Sequence, residues 1–224
     1  MPPGVYGGRD ILLPAHAMTF RRRAHAALLL LLLAAAACSG ESNDAPPSDA
    51  QPAPPEGVHG TAPAAVAGTP SVITLTPMTS NGPAPRRENP RMDQLGLAFT
   101  PGLLVVRLGE TVTFTNSETI AHNVHVAFSD NDSTVLEYDT DPSGSVDLPM
   151  EREGGYEVTC ELHPGMRAFI YVTSSLYTVF ADNAGNYRLE GVPPGSYRLN
   201  VWSVDPALRS ERVVDVTGPS TAIP

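Results

Sequence analysis

The chain has 224 residues, room for one domain of ordinary size or two smaller ones with a tail. Its basic charge is 14 Arg with no Lys, set against 24 Asp plus Glu for a formal net charge of -10; the clustered positive charge that a phosphate backbone requires is absent beyond the first 25 residues, which excludes a nucleic-acid partner. Two cysteines, Cys38 and Cys160, exclude a disulfide framework.

Residues 1–37 read as a signal segment. Arg21, Arg22 and Arg23 precede a twelve-residue apolar tract, residues 26–37, shorter than the about 20 residues that a bilayer core requires. A basic start, an apolar centre and small residues before a cut site are the parts of a secretory signal. Cys38, directly after Ala35, Ala36 and Ala37, resembles the end of a bacterial lipoprotein signal, in which cleavage leaves an acylated N-terminal cysteine. Ala35 stands where that signal usually has Leu, so an ordinary secretory cut beside a chance cysteine is the competing reading. Met18 offers a second start, because residues 1–17 add no recognisable signal element. The expectation is an exported bacterial protein, periplasmic or outer-surface, membrane-anchored through a lipid on Cys38, with a net charge of -13 from Cys38 onward.

Residues 38–90 read as a disordered Pro/Ala-rich tether. From position 39 to 90 there are 11 prolines and no aromatic residue, so little apolar burial offsets the entropy of ordering. The run Val72-Ile73-Thr74-Leu75 suggests an early edge strand but is outweighed by that composition. His59 sits in this stretch with no assigned role. Such a tether holds a folded part away from a membrane, stiffened locally by proline.

Residues 91–172 read as β throughout. Residues 103–108 form a strand candidate, Gly109-Glu110 a turn, and residues 111–115 alternate Val112 and Phe114 on one face. Val124, Val126 and Phe128 continue a period of two after His122, Tyr156, Val158 and Cys160 repeat it, and residues 169–172 supply another β-prone run. No stretch keeps helical spacing for three turns. The expectation is a compact antiparallel sandwich or barrel. Residues 173–217 read as a small β module with turns at 182–185 and 192–195, about 50 residues, marginal as an independent core and so expected to pack on the first unit. Residues 218–224 are left as a tail.

Chemistry concentrates at the end of one strand. Cys160-Glu161-Leu162-His163-Pro164-Gly165-Met166 places a thiol, an imidazole and a thioether within seven residues, able to share a small ion once the turn folds back. A lone Cys-x-x-His would fit a zinc site or a buried thiol equally well; the addition of Met166 and a distant histidine makes the set specific. His122 and His125, three apart, point to opposite faces of an extended strand. His122 shares the parity of the apolar face and is the better fourth donor, leaving His125 as a surface or supporting residue. Two His, one Cys and a weak axial Met are the ligand set of a blue-copper electron-transfer centre.

Residues 111–172 resemble cupredoxins of the amicyanin type, whose short ligand loop has the form Cys-x-x-His-Pro-x-Met, here Cys160, His163, Pro164 and Met166. The His-Asn-Val-His run matches as well, and the likeness extends from about Asp93 to Val172, with Phe99-Thr100-Pro101, Gly109 and Phe114-Thr115-Asn116 similar to methylamine-utilisation-type cupredoxins. The resemblance implies a Greek-key cupredoxin sandwich and one type 1 copper held by His122, Cys160, His163 and Met166. It also implies that Asn123 hydrogen-bonds the cysteine loop. The chain departs from the pattern in an acidic, polar stretch at residues 129–132, which bears on the partner surface rather than on the metal. The turn-and-strand pattern of residues 174–216 resembles the transthyretin-like regulatory modules of some carboxypeptidases and carries no catalytic group.

The function expected is a carrier of single electrons between redox partners outside the cytoplasm, not an enzyme. The alternative is a copper-binding carrier, or a structural or adhesion module with a vestigial site. His163 is the expected exit for electrons, with Pro164 and Met150 lining an apolar patch beside it. Residues 91–172 hold 4 Arg against 13 Asp plus Glu, a local net of -9, which favours a basic redox partner, a cytochrome or dehydrogenase among the candidates. Mere solubility is the competing explanation of that charge.

Overall fold

A computed structural model describes residues 56–79 and 89–224. The signal segment, Cys38 and the first part of the expected tether lie outside the described residues. What is described is all-β, with one short 3-10 turn at Pro206–Leu208.

The first module is a two-sheet sandwich from one continuous stretch. Its strands are β3 (Arg91–Gln94), β4 (Phe99–Thr100), β5 (Leu103–Arg107), β6 (Thr111–Asn116), β7 (His122–Phe128), β8 (Ser133–Thr140), β9 (Ser145–Pro149), β10 (Gly154–Thr159) and β11 (Arg167–Thr173). One sheet has the order β5-β11-β10-β7-β8 and the other β4-β3-β6-β9, so the chain repeatedly crosses between sheets in Greek-key fashion. The pairs β11/β5 and β3/β6 are parallel and the rest antiparallel. Val112 and Phe114 on β6, Val124, Val126 and Phe128 on β7, and Ala168, Ile170 and Val172 on β11 fill the space between the sheets. The expected strands recur within one or two residues, and β3, β4, β8 and β9 are additions. β8 is an exposed edge strand, so the alternation that marks a half-buried strand is missing from it.

The second module corrects the expected boundaries. Residues 57–61 and 72–77, assigned above to a disordered tether, are strands β1 (Gly57–Thr61) and β2 (Val72–Pro77). Residues 220–223, assigned to a tail, are β16 (Ser220–Ile223), paired in parallel with β1. With β12 (Tyr177–Phe180), β13 (Asn186–Leu189), β14 (Gly195–Trp202) and β15 (Ser210–Val216) they build two sheets, β12-β2-β14-β15 and β13-β1-β16. β2 is an interior strand, not an edge. Val72, Ile73 and Leu75 are fully buried, each worth about 1.5–3 kcal/mol relative to exposure. Their register partners, Phe180 and Trp202 for Val72, Val179 and Val201 for Ile73, and Tyr177 and Leu199 for Leu75, lie more than 100 residues later. Local composition therefore shows no aromatic residue although the finished core is rich in them.

The first module is thus inserted between β2 and β12 of the second. β11 is buried on both faces: Ala168, Ile170 and Val172 face the first core, while Phe169 and Tyr171 meet Val72 and Trp202 of the second module.

Candidate metal centre

Two neighbouring strands bring the donors together. His122 opens β7 with its side chain on the same face as Val124, Val126 and Phe128, and it is completely buried. β10 is antiparallel to β7, with Thr159 opposite His125, so Cys160 emerges beside the start of β7. The segment from Cys160 to Met166 closes on itself: Cys160 N–H donates to the Met166 carbonyl at 3.2 Å and Met166 N–H to the His163 carbonyl at 3.3 Å. Gly165 turns the chain at φ +95°, a left-handed conformation that side chains resist.

The result is a compact donor set. Cys160 Sγ lies 3.9 Å from His122 Nδ1 and 3.6 Å from His163 Nδ1, and the three ligating atoms all fall within 4.8 Å of one another. The imidazole rings stand 4.7 Å apart between centroids at 59°. An ion about 2.0 Å from nitrogen and about 2.3 Å from sulfur in a trigonal plane separates those donors by about 3.7 Å. The two separations from sulfur therefore fit a small metal. Met166 is buried in the same core cluster as Cys160, at the closing end of the loop. His163 is half-buried and marks the edge nearest solvent.

The surroundings hold these groups in place. Asn123 N–H donates to Cys160 Sγ at 3.3 Å, which fixes the sulfur against β7. Its side chain does something other than expected: Nδ2 donates to Asp139 Oδ1 on β8 at 3.0 Å rather than to the cysteine loop. The main chain of Asn123 therefore makes the sulfur contact, and the side chain ties the ligand strand to its neighbour. His125 points away from the site, its ring between Thr159 and Thr134 at 3.3 and 3.0 Å. His59 lies on β1 of the second module, where its Nδ1 is 3.1 Å from the Gly57 carbonyl. Met150 is not at the surface beside Pro164 but buried in the first core. The exposed apolar residues flanking the donors in the chain are Ile120 and Leu162.

Glu118 is a residue that sequence reasoning missed. Its Oε1 lies 3.5 Å from His122 Nε2, the ring nitrogen turned away from sulfur, and accepts Leu97 N–H at 2.8 Å. That buried Nε2 has no completed hydrogen bond, so the carboxylate faces the one site where a proton sits if Nδ1 takes a metal. Asn116 braces the approach, accepting Glu118 N–H through Oδ1 at 2.9 Å and donating through Nδ2 to the carbonyls of Ile120 and Thr140 at 2.8 and 3.0 Å. The signal available was a carboxylate four residues before the candidate ligand.

The donor set has the chemistry of copper: a thiolate and a thioether suit the cuprous ion, imidazoles suit the cupric one, and a single arrangement offers both. Residues 89–173 match the family model of copper binding proteins, plastocyanin/azurin family. No curated protein matches the chain. Among solved structures, a variant of amicyanin in the Cu(I) form is 24% identical, covering 45% of this chain and 97% of that one with a TM-score of 0.35. An oxidised amicyanin variant is 26% identical over 45% of this chain and 97% of that one, again at 0.35. A purple cupredoxin from Nitrosopumilus maritimus is 19% identical over 38% and 99%, at 0.33.

Proposed function

We propose that the first module is a type 1 copper protein that carries single electrons, held outside the cytoplasm by a lipid on Cys38. The observation that carries this reading is the preassembled trio of His122 Nδ1, Cys160 Sγ and His163 Nδ1, with separations from sulfur of 3.9 and 3.6 Å. Copper, when bound, supplies the one-electron couple between +1 and +2. Everything else is done by the chain. Burial of His122, Cys160 and Met166 excludes water and fixes three donors, so both oxidation states meet the same surroundings and little reorganisation accompanies transfer. The Asn123 N–H contacts the sulfur, and Met166 would add a weak thioether donor when copper is bound.

His163 is the half-buried donor and the route by which electrons leave. Leu162 and Pro164 beside it, with Ile120 before His122, are exposed and form the apolar rim on which a redox partner settles. The acidic surplus of this module favours a basic partner and makes association weaken as salt rises.

Visible and paramagnetic-resonance spectra of the Cu(II)-loaded full chain test the reading. An intense band near about 600 nm from thiolate-to-copper charge transfer is expected. A pale product whose copper is readily removed would replace it with the carrier role.

A further inference from the structure

The polar turn at residues 129–132, the one departure from the family pattern, takes no part in the copper site. It is where the second module grips the first. Arg209 Nη1 donates to Asp130 Oδ1 at 2.6 Å, Nη2 approaches Ser129 Oγ at 3.5 Å, and Nε donates to the Ser203 carbonyl at 2.7 Å. Its guanidinium carbon stands 5.5 Å from the Trp202 ring centroid, and its side chain is only 19% exposed. Trp202 in turn lies so close to Gly155 that a Cβ at that position would collide with the indole Nε1.

Ser129 closes the contact from the other side, donating both N–H and Oγ to the Gly155 carbonyl at 2.9 and 2.8 Å. Phe169 and Tyr171 flank Trp202 at 6.0 and 5.4 Å, and the Tyr171 hydroxyl donates to Asn200 Oδ1 at 3.1 Å. Burial, above all, pushes the Tyr171 phenol above its ordinary value, which keeps it the donor in that bond.

Topology gives these contacts a consequence. β7 starts at His122 and runs to Phe128, just before Ser129; β10 starts at Gly154 and runs to Thr159, just before Cys160. The two antiparallel strands therefore carry metal donors at one end and the gripped residues at the other, about 20 Å away at the usual rise of a strand. A slip in the β7–β10 register would turn the donor side chains onto the wrong faces.

We infer that the second module is an intramolecular clasp in which Trp202 and Arg209 lock the far ends of the two donor strands, making Arg209 a positioning residue for the metal site. The purpose rests on the copper reading; the mechanical coupling does not. The clasp also covers the outer face of β11.

Hydrogen exchange of the full chain, copper-free and copper-loaded, tests this with Asp130→Arg, Arg209→Asp and the double variant that restores the pair in reverse. Each single change is expected to speed exchange about tenfold, at the Ser129 amide and also at the distant Asn123 and Cys160 amides, because a charge-assisted bond is lost. The double variant is expected to return all three toward the unaltered rates. Loaded single variants are expected to surrender copper to a chelator faster without a change in band shape. Acceleration confined to Ser129, or no recovery in the double variant, overturns the clasp. Because the copper-free arm needs no metal, a chain that never turns blue still decides the coupling while refuting the copper reading separately.

Discussion

The two modules are built alike and serve opposite ends. Each is a pair of sheets around a core of alternating side chains, yet the first is one unbroken stretch with its donors gathered at a strand end, and the second is assembled from both sides of it. The difference lies in where the chain turns. In the first, the connection from β10 to β11 is a short loop, so Cys160, His163 and Met166 are close in sequence and in space. In the second, the link from β2 to β12 is the whole first module, so β1 and β2 pair only with strands that lie beyond it in the chain.

The contrast predicts where each module breaks. Cys160→Ser removes the sulfur donor, and the Cu(II)-loaded protein is expected to lose its band near about 600 nm entirely; a variant that stayed blue would place the sulfur elsewhere. In the second module, Leu75→Ala leaves a cavity in the centre of an interior strand and is expected to cost about 2–5 kcal/mol in denaturant titration. An unchanged midpoint would return residues 72–77 to a tether.

Smaller effects sharpen the first module. Glu118→Gln keeps the shape beside His122 Nε2 and removes the charge, with an expected loss of about 10–100-fold in copper affinity by competition titration; wild-type affinity would reduce Glu118 to an anchor for Leu97. Gly165→Ala meets nothing within 4 Å, so its cost is conformational. About 1 kcal/mol of stability is expected to be lost, read by thermal melting, and a neutral outcome would mean that the loop relaxes out of its left-handed turn.

The ligand loop was legible because its residues are adjacent and of restricted chemistry. His122 was legible because strand parity alone separates it from His125, and the structure places the two rings on opposite faces. Asn123 was half-legible: parity cannot tell a main-chain donor from a side-chain one, and its amide turned out to hold Asp139. Glu118 was missed because a carboxylate in a loop looks like any solvated charge until the ring nitrogen behind it is located. β1 and β16 were missed and β2 was outweighed, because prolines and small residues dominate their neighbourhoods, while β1 and β2 find partners beyond the inserted module and β16 pairs back across it to β1. β8 was missed because Glu137, Tyr138 and Asp139 are all exposed on an edge strand, where no periodicity survives.

X-ray absorption at the copper edge of the loaded full chain bears most directly on whether His122, Cys160 and His163 share one ion. One short bond to sulfur with two nitrogen neighbours is the predicted first shell. A shell of nitrogen and oxygen without sulfur would contradict it.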